Sequence, residues 1–355
     1  MRTDIPAAIK PHVSFFAPAF DDEILDTLRR KYPLGEVIAP GRDEWSSQLL
    51  LKEWVHKAIP GGTPKISYNN ALEILQHAAG GEGFWCTHYT IAYAECAAAL
   101  GWQSRKIGVD RKHGPEGMGS SHHGVAEVWS NQFRKWVVID AQSNLHFEKA
   151  GIPLSAWEIR AEWLKDGGKS VDHVVGVPPR AARKNPAIVW WDHQEDETSV
   201  YFWVYLENHL LAKSKSSEPF QLILPQDNAN SGLIWYQNGE PETKGSELHQ
   251  GYLRNQFVTT PRIEDVYWTV GVVEANIVGV SGQAIQLSLD SYCPNRVGYE
   301  VSTDGIRWER VADEKPVQWP LRQNWNSLRV RTLSRGNVTG PVTSLLVLLE
   351  GTRAK

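Results

Sequence analysis

Gly83-Phe84-Trp85-Cys86-Thr87-His88-Tyr89-Thr90-Ile91-Ala92-Tyr93-Ala94-Glu95-Cys96-Ala97-Ala98-Ala99-Leu100-Gly101 opens the part of the chain that decides its fold. It is followed by Arg105, then His123-Gly124-Val125-Ala126-Glu127-Val128-Trp129, then Trp136-Val137-Val138-Ile139-Asp140. The alanine-dense run reads as a helix over 84–100, stopped by Gly101, which suits a left-handed C-terminal cap. Cys86 then falls in the first turn. Unpaired N–H groups and the helix dipole there stabilise an anion, which lowers a thiol's pKa. Residues 105–109, 124–129 and 135–139 read as strands. With a turn at Ser130–Phe133, Trp129 faces Arg134, and counting back sets His123 opposite Asp140. Directly opposed residues share a face, with Cβ atoms about 5 Å apart; a bulge would shift the register by one and separate the pair. A thiol at a helix start, a histidine opening one strand and an aspartate closing the next can act as nucleophile, base and orienter.

Each of these residues has a plainer reading. A cysteine in a helix is ordinarily a small buried hydrophobe. Cys96 fits that description: it lies roughly 15 Å further along the axis and rotated away, so it can neither pair with Cys86 nor join the site. His122 is the alternative base, but strand alternation points it to the other face, and the spacing to Glu127 favours His123. His88, His113, His122 and His123 match no compact zinc spacing, and there is no Cys-x-x-Cys. Neither a metal nor a cofactor is expected.

The run from Gly83 through Cys86 to Ala97-Ala98-Ala99-Leu100-Gly101, the Leu100-Gly101-x-x-x-Arg105 step, His123-x-x-x-Glu127-Val128-Trp129 and Trp136-x-x-x-Asp140 together resemble the transglutaminase-like superfamily of cysteine enzymes. The resemblance covers roughly residues 40 to 160. It implies an α+β, papain-like core in which a Cys-led helix packs on an antiparallel sheet. It also implies a Cys86–His123–Asp140 triad, with Arg105 as a packing and ion-pair residue. Glu127 is expected to support its strand. The Cys86 backbone N–H is one oxyanion donor, and the indole of Trp54 or Trp85 is the guess for a second.

At 355 residues the chain is too long for one ordinary core. The expected division is a transglutaminase-like catalytic domain over 1–180, a β-rich domain over 187–263, and a β-sandwich over 264–355. Helices are read at 21–32, 43–56, 68–79 and 155–165, with a Pro-punctuated linker at 178–186. Beyond it short strands recur at 188–191, 200–206, 220–224, 285–289, 298–302 and 327–332. Val301-Ser302-Thr303-Asp304-Gly305-x-x-Trp308 and Leu328-Arg329-Val330-Arg331 through Gly340-Pro341 resemble fibronectin-type-III or immunoglobulin-like domains.

The net charge of −4 and the absence of a Lys/Arg stripe carry no nucleic-acid footprint. No apolar run is long enough to span a bilayer. The start, Met1-Arg2-Thr3-Asp4-Ile5-Pro6, has no signal-peptide core, which makes the cytoplasm the default location, or an exported one if a leader has been trimmed. Sixteen tryptophans suggest either core filling, the favoured reading, or glycan contact. The expected function is an amide hydrolase or acyltransferase working through a thioester on peptide, protein or glycopeptide. A glycan- or peptide-binding protein that kept the fold without the chemistry is the alternative.

Overall fold

After a two-residue strand, β1 (Arg2–Thr3), the elements up to residue 99 are helices: α1 (Glu23–Lys31), α2 (Leu34–Ile38), α3 (Glu44–Ala58), α4 (Ala71–Ala79) and α5 (Cys86–Ala99). The computed structural model describes residues 2–3, 8–12, 15–66, 68–110, 123–177, 182–184, 201–205, 221–225, 256–313 and 315–349. These form two units, Pro11–Tyr267 and Met1–Lys10 with Trp268–Lys355.

Local chemistry sets the helix ends of the first unit. Asp22 caps α1 by accepting from the Ile24 N–H, and Asp43 and Ser46 form a capping box at α3. Helix α5 is buried on almost every side. Its alanines let α1, α3 and α4 approach, and the strands β2 (Ser104–Asp110) and β3 (His123–Ser130) pack against it as well.

Strand β3 turns back as β4 (Lys135–Ile139). The hairpin pairs Trp129 with Trp136 and Ser130 with Lys135, so the turn is Asn131–Arg134, with Arg134 at φ +56°. The register is thus two residues from the one expected, in which Trp129 faced Arg134. A slip of two keeps every side chain on its face, because the side-chain period of a strand is two.

Strands β5 (Leu145–Lys149), β6 (Ile152–Pro153), β7 (Asp172–Val175) and β8 (Ala182–Lys184) make a second, four-stranded sheet in the order β6-β5-β7-β8. Helix α6 (Ala156–Asp166) carries a Ser155/Glu158 capping box and stops at Gly167 in the left-handed region. The stretch expected as a linker therefore contributes β8, paired with β7.

The domain boundaries also differ from those read in the sequence. Strands β9 (Tyr201–Tyr205), β10 (Gln221–Pro225) and β11 (Gln256–Thr260) are not a separate body. They complete a six-stranded sheet in the order β11-β10-β9-β2-β3-β4. Pairing of β9 on β2 satisfies what would otherwise be an open edge. It also places Phe202 and Val204 in the same buried cluster as Ile107, Val109, Val125 and Phe147. The expected strand at 188–191 lies outside the described residues.

The second unit joins both ends of the chain, since Arg2 pairs with Leu346. Its strands are β12 (Glu274–Ser281), β13 (Ala284–Asp290), β14 (Arg296–Ser302), β15 (Glu309–Val311), β16 (Val317–Pro320), β17 (Asn324–Ser334) and β18 (Thr343–Leu349). They form a five-stranded sheet, β1-β18-β17-β14-β15, and a three-stranded sheet, β12-β13-β16. Leu287 and Trp319 from the small sheet share one apolar cluster with Tyr299, Val330 and Leu345 from the large one. Among the tryptophans, Trp45, Trp102, Trp129, Trp136, Trp268 and Trp319 are buried, whereas Trp85 and Trp325 are exposed.

Candidate active site

The segment that delivers Cys86 is held by backbone pairing. The Phe84 N–H donates to the Pro60 carbonyl at 2.8 Å, and the Gly62 N–H donates to Phe84 at 3.1 Å. Gly83 is required at this crossing, because a Cβ there would stand 2.7 Å from the Gly61 oxygen and the Gly62 Cα. Trp85 is the extended residue before α5 and caps it with no side-chain bond. Cys86 is therefore the first helical residue, with its N–H free of any intrahelical acceptor.

The Cys86 thiol is half-buried, and the His123 ring and the Gly124 N–H act on it electrostatically. Gly124 allows this approach: a Cβ on it would lie 3.3 Å from the Thr87 Cα and 3.4 Å from the Thr87 nitrogen. The helix start and the strand start thus meet backbone to backbone. Sequence reasoning passed over Gly124, although its place next to His123 at the head of a strand was the available signal.

His123 Nε2 lies 3.0 Å from Asp140 Oδ2, and both side chains are excluded from solvent. Asp140 lies one residue past β4. Its backbone exchanges two hydrogen bonds with Leu145, and its Oδ1 accepts from the Ser143 N–H at 3.0 Å. The three residues singled out in the sequence are thus brought together. His122 and His113 lie outside the described residues, among which no group of three or more His, Cys, Asp or Glu side chains is gathered as a metal site would need.

Burial works against every charge in this cluster, and the neighbours overcome it. For Cys86, burial raises the thiol pKa, but the His123 ring, the Gly124 N–H and the Lys106 charge bring it below its ordinary value. For His123, burial alone would lower the pKa, yet Asp140 and Cys86 push it up to about 10. Asp140 is held below the usual carboxylate range by His123 and Ser143, again against burial. All three shifts run in the direction of the charged forms: thiolate, imidazolium and carboxylate.

Lys106 is a second residue that sequence reasoning missed. It pairs with Ala126 on the face of β2 and β3 that also presents Gly124 to α5. His88 is buried, and its Nδ1 has no hydrogen-bond partner among the described residues. Burial, with Lys106 beside it, drives its pKa down to about 4, so it stays neutral. Cys96 is fully buried, and burial pushes its thiol far above the ordinary range.

The two indoles guessed as oxyanion donors have other neighbours. Trp54 stacks edge-on against Tyr32 at 5.9 Å. The Trp85 N–H is donated to the Thr63 hydroxyl at 3.3 Å. Arg105 and Glu127 face each other across β2 and β3 as a fully buried ion pair, with Nε–Oε2 at 2.9 Å. Glu127 Oε1 also accepts from the Ala156 N–H at 2.9 Å and from the Tyr267 hydroxyl at 2.8 Å. Four donors on one carboxylate leave it committed to holding the sheet, α6 and the 263–267 segment together.

No helix among the described residues is long and apolar enough to cross a membrane. No family model matches the chain, and no curated protein does. Among solved structures it is similar to a Cytophaga hutchinsonii protein described as a putative cysteine protease, at 16% identity and a TM-score of 0.28, over 36% of this chain and 40% of that one. It is also similar to red sea bream transglutaminase, at 11% identity and a TM-score of 0.30, over 93% of this chain and 72% of that one.

Proposed function

We propose that the chain is a cysteine-dependent amide hydrolase or acyltransferase of transglutaminase-like fold, with Cys86, His123 and Asp140 as its triad. The observation that carries this reading is a thiol at the first residue of a helix, under the electrostatic influence of a buried imidazole that lies 3.0 Å from a buried carboxylate. A pure binding protein has no physical need for that order of groups.

In this mechanism the Cys86 thiolate attacks the carbonyl carbon of an amide, and the oxygen takes up the negative charge beside the Cys86 N–H. His123 holds its Nε2–H on Asp140 and gives the proton on its other nitrogen to the departing amine as the C–N bond breaks. A thioester remains on Cys86. Water, or an amine in the acyltransferase variant, then gives its proton to His123 and attacks the thioester, and Cys86 leaves as thiolate. Water needs no second substrate pocket and is the favoured acceptor. Asp140 fixes the imidazole tautomer and stabilises its cation throughout.

The substrates proposed are peptide, protein or glycopeptide amides. The unit made by both chain ends is read as a fibronectin-III- or immunoglobulin-like β-sandwich, and its exposed Trp325 is a candidate glycan contact. The test is to incubate the protein with a library of peptide amides and glycopeptides and look for an acyl adduct by intact mass. The expected result is an adduct on Cys86 that builds up and decays, absent in Cys86→Ala. Turnover that persists in Cys86→Ala would refute the mechanism.

A further inference from the structure

Two basic side chains one helical turn apart on α3 lie about the turn that presents Asp140: His56 bonds to the turn itself, and Lys52 to His146 and Gly176 beside it. His56 Nδ1 donates to the Gln142 carbonyl at 2.9 Å. Lys52, completely buried, lies 3.2 Å from His146 Nδ1 and donates to the Gly176 carbonyl at 3.2 Å. The Gly176 N–H in turn donates to the Asn144 carbonyl at 2.9 Å. An ammonium only donates, so His146 Nδ1 accepts from Lys52. His146 Nε2–H is then the donor to Glu148, 3.0 Å away. That chain of bonds fixes the tautomer of His146, the residue directly after the Leu145 that closes the turn by its two backbone bonds to Asp140 at 2.9 and 2.8 Å.

The 140–145 turn is thus fastened to α3 at Gln142, at Asn144 through Gly176, and at the residue following Leu145. Nothing in the thiol–imidazole–carboxylate chemistry itself requires these contacts. Their geometric consequence is that Asp140 Oδ2 has little freedom to leave His123. Such freedom would matter, because a displacement of about 1 Å in a catalytic group can cost on the order of a hundredfold in rate.

We propose that Lys52 and His56 are positioning residues for the site: they lock the 140–145 turn onto α3 and so keep Asp140 aligned on His123. This inference rests on the triad proposed above. Arg105 and Glu127 differ from them: that equally buried pair supports the sheet and not the Asp140 turn.

The test uses the full chain and needs no knowledge of the substrate. The rate of iodoacetamide alkylation at Cys86 is followed against pH by peptide mass spectrometry in the wild type, His56→Ala, His56→Gln and Lys52→Met, with thermal melts to verify folding. His56 is only partly buried, so its replacement is compatible with folding. The expected result is that His56→Ala slows Cys86 labelling at pH 7 about tenfold and moves its midpoint upward. His56→Gln, which keeps an N–H donor, restores most of the rate, and Lys52→Met moves the midpoint in the same direction as His56→Ala. A second readout is the downfield proton resonance of the His123–Asp140 hydrogen bond, present in the wild type and broadened or shifted in His56→Ala. Folded His56→Ala and Lys52→Met with wild-type midpoints and an unmoved resonance would overturn the positioning role. A wild-type Cys86 that labels no faster than an unfolded thiol would instead overturn the triad reading, and the positioning role with it.

Discussion

Asp140→Asn removes one charge from a buried contact while leaving its shape nearly intact. The Nε2–Oδ2 separation is 3.0 Å, and with an effective dielectric constant of about 20 the lost attraction is roughly 5 kcal/mol, or about four pH units on His123. His123 stands at about 10 against an ordinary 6.5, so losing that charge returns the imidazole to or below its ordinary value, where burial keeps it neutral at pH 7. Cys86 then loses the cation that chiefly offsets its own burial. The expected outcome is an upward move of at least about one unit in the Cys86 alkylation midpoint, with turnover down by about 10³–10⁴-fold, as for other triads whose acid becomes an amide. The same shifts set a stability window. The lowered Asp140 contributes stability above its unfolded value of 3.8, which is lost as the pH falls. The raised His123 contributes fully below 6.5, and that share is lost as the pH rises towards about 10. Urea unfolding of wild type and variant should therefore differ most near pH 5–6, with the gap narrowing towards pH 10. An unchanged alkylation midpoint in a folded Asp140→Asn protein would refute the coupling of carboxylate to thiol.

Three other substitutions probe separate links. Gly124→Ala places a Cβ 3.3 Å from the Thr87 Cα, so the head of α5 must yield by a few tenths of an ångström. Cys86 labelling should slow about tenfold, with a stability loss of about 1–2 kcal/mol in urea titration; full labelling speed would show that this close approach does not position the thiol. Glu127→Gln strips Arg105 of its buried counter-ion and should cost about 3–5 kcal/mol, read from the urea midpoint. The Cys86 alkylation midpoint should stay put, and a shift would connect this pair to the site. Cys96 should resist iodoacetamide in the native protein and react only on unfolding, and Cys96→Ala should retain the Cys86 labelling profile; loss of that profile would mean the wrong thiol had been chosen.

The site was legible where its signals are local. A thiol at the first residue of an alanine-rich helix and a period-two strand opening on His123 can both be read from adjacent residues. Hairpin parity is equally local. The observed turn at Asn131–Arg134 shifts the register by two, yet His123 and Asp140 remain on one face, since only an odd slip would have parted them. Closing the remaining distance is a different matter. Asp140 lies beyond the last paired residue of β4 and is steered by Ser143 and Leu145. The helix that fastens this turn lies some ninety residues earlier, with His56 and Gln142 separated by 86 positions.

The same distinction explains the domain boundaries. The apolar runs at 200–206 and 220–224 announce strands but not their partners, and Gln256–Thr260, with only Phe257 and Val258 apolar, does not announce itself. What assigns β9 to the first unit is the edge of β2, whose unpaired backbone groups need it, together with the burial of Phe202 and Val204 among Ile107 and Val109. Glu127 makes the point at a single residue. Its place opposite Arg105 follows from strand pairing, but the two donors to its other oxygen come from residues 29 and 140 positions away. A carboxylate four residues from the proposed base could have been a second acid in the mechanism. Its occupation by Arg105, Ala156 and Tyr267 argues that it holds its proton-accepting capacity for the fold, leaving Asp140 as the carboxylate that answers to His123.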